Sequence, residues 1–374
     1  MNWKITLSEP DIGREEIDAV TDVLKSKWLT MGLVTKEFER EFAEKMDVKY
    51  AFAVNNCTAA LHLANLILNI GPGDEVICPA LTFVATANAT IYTGAKIVFA
   101  NSISENDLTI DPKDIESKIT LKTKAISIVH YAGFPCLMDE IVLIAKKHNL
   151  KIIEDCAHAP FAWHRFKDGT KKFVGAIGEV GCFSFFSNKN MTTGEGGMIT
   201  TNSHELAEKI KLLRSHGMTT LTFDRHKGHA AGYDVVEHGY NYRIDEIHSA
   251  MGICQLQKID KNNEKRRQIF SWYKEALGTN DNVIVPFKDR EVDCATCHIM
   301  PVIIRNNYQE IKNRLFNAGI QTSKHYDLIP SFSIYKKSEF KNNVKLIDNI
   351  LTLPMFPGLN FEDVRFIGKI INEN

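Results

Sequence analysis

The chain has 374 residues, more than the roughly 250–300 at which a single hydrophobic core stops growing, so two domains sharing an interface are expected. Hydrophobic residues at 44% exclude a mostly disordered chain, and 22 glycines and 11 prolines are too few for a fibrous or low-complexity one. With 45 Lys and Arg against 46 Asp and Glu, the net charge of -1 gives no general attraction for nucleic acid or an anionic membrane.

The first ten residues carry neither the apolar core of a signal peptide nor an Arg-rich transit pattern. Helical spacing then predicts helices over residues 11–25 and 35–46. A short apolar run at 50–54 precedes a helix over 58–68. That helix opens the longest apolar stretch, residues 59–70. His62, Asn65 and Asn69 interrupt it, so it is too short and too polar to span a bilayer. Strands are expected at 75–79 and 96–100, separated by an Ala/Thr-rich helix over 82–92. Strand, helix and strand follow at 124–130, 138–148 and 151–155, with further short strands at 181–184 and 198–201. This β-α-β rhythm predicts a mostly parallel sheet with helices on both faces. Ligands of such sheets bind at the carboxyl ends of the strands, which directs attention to residues 55–58, 79–83, 155–158 and 184–189. A long, charged helix over 255–273 bridges to a smaller α+β domain suggested by 297–304, 308–318 and 361–371. The expected division is a large domain over 1–252, with an N-terminal arm over 1–30, and a small domain over 253–374.

Four positions at those strand ends carry chemistry. Lys189 follows the apolar run Cys182-Phe183-Ser184-Phe185-Phe186 and precedes Gly194-Glu195-Gly196-Gly197. Three glycines in four residues permit a tight reversal or a close backbone approach, against the plainer reading of a solvated lysine. Asp155 ends the buried run Ile152-Ile153-Glu154; it either caps a following helix or meets a cationic partner such as a protonated pyridine nitrogen. Thr58 stands at a strand-to-helix junction, where a hydroxyl and free amides suit a phosphate, although an N-cap Thr would look the same. Phe83 could stack on a flat ring or simply fill the core. An aldehyde for Lys189, a ring nitrogen for Asp155, a flat face for Phe83 and a phosphate for Thr58 together describe pyridoxal 5'-phosphate.

With these residues in view, the chain resembles the DegT/DnrJ/StrS sugar aminotransferases, with the aspartate aminotransferase (type I) fold. The resemblance runs nearly end to end, through Trp28-Leu29-Thr30, Asn56–Leu61, Pro79–Asn88, Asp155–Ala159, Phe183–Gly197, Gly239–Arg243, Gly319–Thr322 and His325-Tyr326. It implies that Lys189 links covalently to the cofactor, that Asp155 pairs with the pyridine nitrogen, and that His158 lies near the ring hydroxyl. It places Phe83 against the ring, and gives the phosphate to Thr58, Ser184 and the backbone at Cys57 and Ala59. Asn241 would reach the phosphate from a neighbouring subunit, making a homodimer with shared sites. Thr30, Arg243, His325 and Tyr326 fall to the substrate. The reaction implied moves an amino group from L-glutamate to a ketone of a nucleotide-linked sugar, in amino-sugar or surface-polysaccharide biosynthesis. Departures from the family pattern at Cys57, Ser26-Lys27 and Gly32-Leu33 bear on sugar specificity. Keto-inositol amination remains open. A dehydratase branch has His where Lys189 stands, and a non-catalytic homologue would not need Lys189, Asp155 and Thr58 intact.

Other patterns are weaker. Cys294-Ala295-Thr296-Cys297-His298 has the form of a haem attachment or metal motif, but reads better as free thiols of a cytoplasmic protein. The glycines of 175–181 do not follow the dinucleotide fingerprint. His130, Cys156 and His158 could be read as a metal site, for which a carboxylate-rich third ligand set is missing. Arg214, His216, Arg225, His226, Lys227, His229, His238 and Arg243 form a basic stretch. It is either a solvated loop or a lid that meets a nucleotide diphosphate.

Overall fold

A computed structural model describes residues 3–220, 232–335 and 340–373. Seven strands form the main sheet: β1 (Tyr50–Val54), β2 (Glu75–Pro79), β3 (Lys96–Ala100), β4 (Thr123–Val129), β5 (Lys151–Asp155), β6 (Val180–Ser184) and β7 (Gly197–Thr201). Their spatial order is β1-β7-β6-β5-β4-β2-β3. β7 runs antiparallel to both of its neighbours, while the remaining pairs are parallel. The exception follows from the connection: residues 185–196 join β6 to β7 without a helix, so the chain reverses instead of crossing over. Strands β2, β6 and β7 are buried along their whole length, which is why they read as apolar runs without alternation.

The helices include α1 (Arg14–Ser26), α2 (Leu33–Met46), α3 (Cys57–Ile67), α4 (Ala85–Ile91), α5 (Pro112–Ser117), α6 (Met138–His148) and α7 (His204–Leu213). α3 is buried nearly throughout, and its polar interruption is satisfied: Asn65 Nδ2 donates to the Leu61 carbonyl at 2.8 Å, while its Oδ1 accepts from Thr90 Oγ1 at 3.1 Å. Two hairpins, Ser102–Ser104 with Asp107–Ile110 and Trp163–Arg165 with Lys171–Phe173, fill connections that carry no clear sequence signal.

The long helix α8 (Glu246–Leu277) begins well before the expected residue 255. Its first buried positions are Glu246, Ser249, Ala250, Gly252 and Gln255, polar or small residues that give no hydrophobic period. Glu246 is 3% exposed and works as a cap for α2. Its Oε1 accepts from the amides of Gly32 and Thr35, both at 2.8 Å, and its Oε2 from the amide of Val34 at 2.9 Å. A carboxylate at the positive end of α2 thus ties the two helices together. Further along, Leu256 and Ile259 join the core beneath the main sheet. Phe270, Tyr273 and Leu277 join a second core with β8 (Val283–Ile284), β9 (Met300–Ile304), β10 (Ile350–Leu353), α9 (Tyr308–Asn317) and α10 (Phe361–Asn372). These last three strands form an antiparallel sheet in the order β8-β9-β10. Among the described residues no helix is long and apolar enough to cross a membrane. All eight cysteines are free thiols.

Candidate active site

The carboxyl ends of β1, β4, β5 and β6 converge on a cleft of about 300 Å3. At the first of these, Asn56 rather than Thr58 caps α3, its Oδ1 accepting from the Ala59 amide at 2.8 Å. The amides of Cys57 and Thr58 have no intrahelical acceptor, as at any helix start, and with the Thr58 hydroxyl they form a cradle for an anion. Gly197 is required beside it. A Cβ there would lie 2.7 Å from the Asn56 carbonyl carbon and 2.8 Å from the Cys57 nitrogen. The Gly-rich segment therefore serves both purposes read from its sequence: Gly194 turns at a φ of +82°, and Gly197 lets β7 press against the cradle.

Asp155, 5% exposed, closes β5. No helix follows it. Its Oδ1 accepts from the Ala157 amide at 3.0 Å and its Oδ2 from Thr86 Oγ1 at 2.8 Å. Burial raises its carboxyl above the usual range, opposed by these two hydrogen bonds and by the charge of Lys189. Lys189 sits across the cleft in the β6–β7 loop. Burial pulls its ammonium down to about 8, against the attraction of Asp155. Lys189 is half-buried and lines the cleft, which speaks against the plainer reading of a solvated lysine.

His158 is buried, and its Nδ1 accepts from the Ala132 amide at 3.3 Å. The proton therefore sits on Nε2, which donates to the Tyr326 hydroxyl at 2.9 Å. Burial, then the charge of Lys189, hold the His158 imidazole well below its ordinary pKa. Burial likewise pushes His325 down to about 4. The Phe83 ring is 57% exposed and lies 5.8 Å from the Tyr326 ring.

The cleft thus brings together Cys57, Thr58, Phe83, Asp155, His158, Ser184, Lys189, His325 and Tyr326. Ala59 stands behind the cradle with its amide already bonded to Asn56. Thr30, Asn241 and Arg243 do not line the cleft; Thr30 and Asn241 are exposed, Asn241 bridges to Ser215, and Arg243 bridges to Val54. Two residues close to this chemistry were not singled out from the sequence for it. Thr86 lies one helical turn past Phe83, in the segment that carries the family resemblance. His298 lies with its Nε2 3.5 Å from Lys189 Nζ. The only pointer to His298 was the Cys294-to-His298 motif, read there for its thiols.

The metal reading of His130 and Cys156 gives way to hydrogen bonding. With Glu154 these residues place ligand atoms within 4.8 Å of one another. Yet His130 Nδ1 accepts from the Cys136 amide at 3.1 Å, so its Nε2 donates to Glu154 Oε2 at 3.1 Å. Glu154 Oε1 accepts from the amides of Ile177 and Gly178. The basic stretch also divides. Arg214 is 4% exposed, pairs with Glu39 and donates to the Ala53 carbonyl at 2.7 Å, so it is a structural cation. Arg225, His226, Lys227 and His229 lie outside the described residues.

A lysine facing a buried aspartate beside an anion cradle, at the carboxyl edge of this sheet topology, is the site of a pyridoxal-phosphate enzyme of the type I fold. The chain belongs to the DegT/DnrJ/EryC1/StrS aminotransferase family, whose model matches residues 10–372. It is 38% identical to the spore coat polysaccharide biosynthesis protein SpsC of Bacillus subtilis, over 100% of this chain and 97% of that protein. It is 38% identical to GDP-perosamine synthase of Escherichia coli O157:H7, covering 99% and 98%. Helicobacter pylori PseC, an aminotransferase involved in the biosynthesis of pseudoaminic acid, superposes with a TM-score of 0.87 at 31% identity, covering 99% and 98%. Spr1654 of Streptococcus pneumoniae, solved in PLP and PMP forms, gives TM-scores of 0.87 and 0.86 at 28% identity, covering 99% and 98% of this chain. Aminotransferases of this family depend on pyridoxal phosphate.

The residues present fit that cofactor. Asp155 is a buried carboxylate whose partners are a hydroxyl and an amide, both neutral, leaving room for a cationic ring nitrogen. The anion cradle of Cys57 and Thr58, with Ser184 beside it, lines the same cleft as the desolvated Lys189.

Proposed function

We propose that this aminotransferase moves an amino group from L-glutamate to a ketone of a nucleotide-linked sugar, as a cytoplasmic homodimer with shared active sites. The observation that carries the reading is the meeting of Lys189 and Asp155 in one cleft with the α3 cradle. The substrate class is supported by the relatives named as a GDP-perosamine synthase and as a spore coat polysaccharide biosynthesis protein.

When bound, pyridoxal phosphate supplies an aldehyde that takes up the amino group and a ring that disperses the electrons left on the donor's α-carbon. The protein does the rest. The Cys57 and Thr58 amides, with the Thr58 and Ser184 hydroxyls, bind the phosphate. Asp155 holds a proton on the ring nitrogen, and Thr86 and Ala157 hold Asp155 in place. Phe83 offers a flat apolar face. The proton on the donor's α-carbon is taken by Lys189 Nζ. Burial lowers the pKa of that amine, which favours the neutral form that can accept a proton. His158 and Tyr326 form a neutral pair beside it, a hydroxyl anchored by an imidazole.

Shared sites are supported by two features. Phe186 lines the cleft with 44% exposure, apolar surface suited to a second copy. Asn241 and Arg243 lie outside the cleft of their own chain. Free thiols at all eight cysteines accord with a reducing compartment.

The test is direct. Purified chain is mixed with pyridoxal phosphate, reduced with borohydride, and digested. A pyridoxyl adduct on the Lys189 peptide is expected, along with amination of GDP- or UDP-linked keto-sugars by glutamate, read by mass spectrometry. Labelling elsewhere would remove Lys189 from the mechanism. Amination of keto-inositols alone would move the chain to a different substrate class.

A further inference from the structure

His298 sits at the end of a buried hydrogen-bond chain whose direction is fixed from the far end. The Asn263 Nδ2 donates to the Pro160 carbonyl at 3.1 Å, so Asn263 Oδ1 is an acceptor. Asn190 Nδ2 donates to that Oδ1 at 2.8 Å and to the Thr296 carbonyl at 2.9 Å. Carbonyl oxygens only accept, so neither amide can be turned round without losing a bond. Asn190 Oδ1 is therefore the acceptor that faces His298 Nδ1 at 2.9 Å, and Nδ1 carries the imidazole proton. That leaves a lone pair on Nε2, which points at Lys189 Nζ 3.5 Å away. All three relay residues are at most 4% exposed, so water does not compete for these bonds. Burial, then the charge of Lys189, keep the His298 imidazole well below its ordinary pKa and hence neutral.

We propose that His298 is a positioning residue for Lys189: its Nε2 lone pair, oriented by Asn190 and Asn263, accepts a hydrogen bond from the lysine amine and steers it whenever that amine is free. This deepens the reading of Lys189 as the cofactor lysine, and rests on it. The motif Cys294-to-His298 then contributes a histidine to the site, while Cys297 serves packing: it is fully buried and burial pushes it up to about 12.

A lone pair that accepts from an ammonium favours the charged form, so its loss lowers the lysine pKa further. Two substitutions of similar size separate the roles of the two ring nitrogens. In His298→Gln the amide oxygen reaches the place of Nε2, whereas in His298→Asn it reaches only the place of Nδ1. The readout is the pKa of Lys189 in the cofactor-free full-length chain, measured as the pH dependence of its acetylation by trace acetic anhydride, with the Lys189 peptide quantified by mass spectrometry. The expected result is a fall of about one unit in His298→Asn, with His298→Gln within about a third of a unit of the parent. Should His298→Asn fail to fold, His298→Leu takes its place with the same expected fall. Equal pKa values in the two variants, or a rise in the Asn or Leu variant, overturn the proposal, since a rise would mean His298 was a cation. Because no cofactor is present, this outcome is independent of the borohydride trapping of pyridoxal phosphate that tests the function itself.

Discussion

Removing the charge of Lys189 should stabilise the cofactor-free protein. Its ammonium is pulled from 10.5 to about 8 by burial, a difference of about 2.5 units. At about 1.4 kcal/mol per unit this is a ceiling of about 3 kcal/mol of native-state cost. Lys189→Met keeps the stem and removes the ammonium. It also removes the attraction that helps Asp155 stay ionised, which offsets part of the gain, so a net 1–3 kcal/mol is the working range, on the order of that ceiling. With about 2.1 cal/mol/K of unfolding entropy per residue, a chain of 374 residues gains roughly 1–4 °C in Tm. The pH dependence gives the sharper check. The folded pKa lies below the unfolded one, so protonation opposes folding. The cost is complete below pH 8 and disappears as pH rises through 10.5. Scanning fluorimetry of parent and variant, both cofactor-free, should therefore show a gain at pH 7 that closes by about pH 10.5, in line with that window. A variant no more stable than its parent at pH 7, or one whose advantage persists undiminished at pH 11, would refute the burial argument. The same variant should lose transamination altogether.

Asp155→Asn cannot hold the ring nitrogen protonated; cofactor affinity should fall by about 10–100-fold and turnover by at least about 100-fold, and activity within a few-fold of the parent would reduce Asp155 to a turn residue. Gly197→Ala drives a methyl into the backbone at Asn56 and Cys57, so urea unfolding should show a loss of about 2 kcal/mol or more with weaker phosphate binding, and a loss under about 0.5 kcal/mol would deny the close packing. Mixing Lys189→Ala with Asn241→Asp should restore activity in mixed dimers, since one of the two sites then has both residues intact. Subunit exchange proven by mass without any rescue would confine the site to one chain.

Most strands of the main sheet were legible because burial on both faces leaves apolar runs bounded by Gly, Pro and Asn. The antiparallel run of β7 was not, since periodicity carries no direction; only the helix-free β6–β7 connection reveals it. The early start of α8 was hidden because its buried face opens with Glu246 and Ser249, polar residues whose burial depends on partners far away in sequence. α7 passed unread although Leu206, Ala207, Ile210 and Leu213 stand at helical spacing behind the Ser203 cap.

The site shows the same division between what strand ends display and what packing supplies. Lys189, Asp155, Thr58 and Phe83 stand at carboxyl ends, where the sheet rule alone directs attention. Thr86 and His298 act on those residues from α4 and from the segment before β9, and the motifs they stand in do not reveal that role. The protonation of His298 is further removed still. It follows from two backbone carbonyls, Pro160 and Thr296, that can only accept, and from two asparagines that pass the constraint inward. A lysine that must be free to take a proton needs its neighbour neutral; burial and the Lys189 charge keep His298 neutral, and a chain of amides ending on carbonyls decides that its proton sits on Nδ1 and its lone pair on Nε2. The chemistry of Lys189 is thus tuned by atoms that no motif could have named, because their role lies in the direction of hydrogen bonds rather than in residue type.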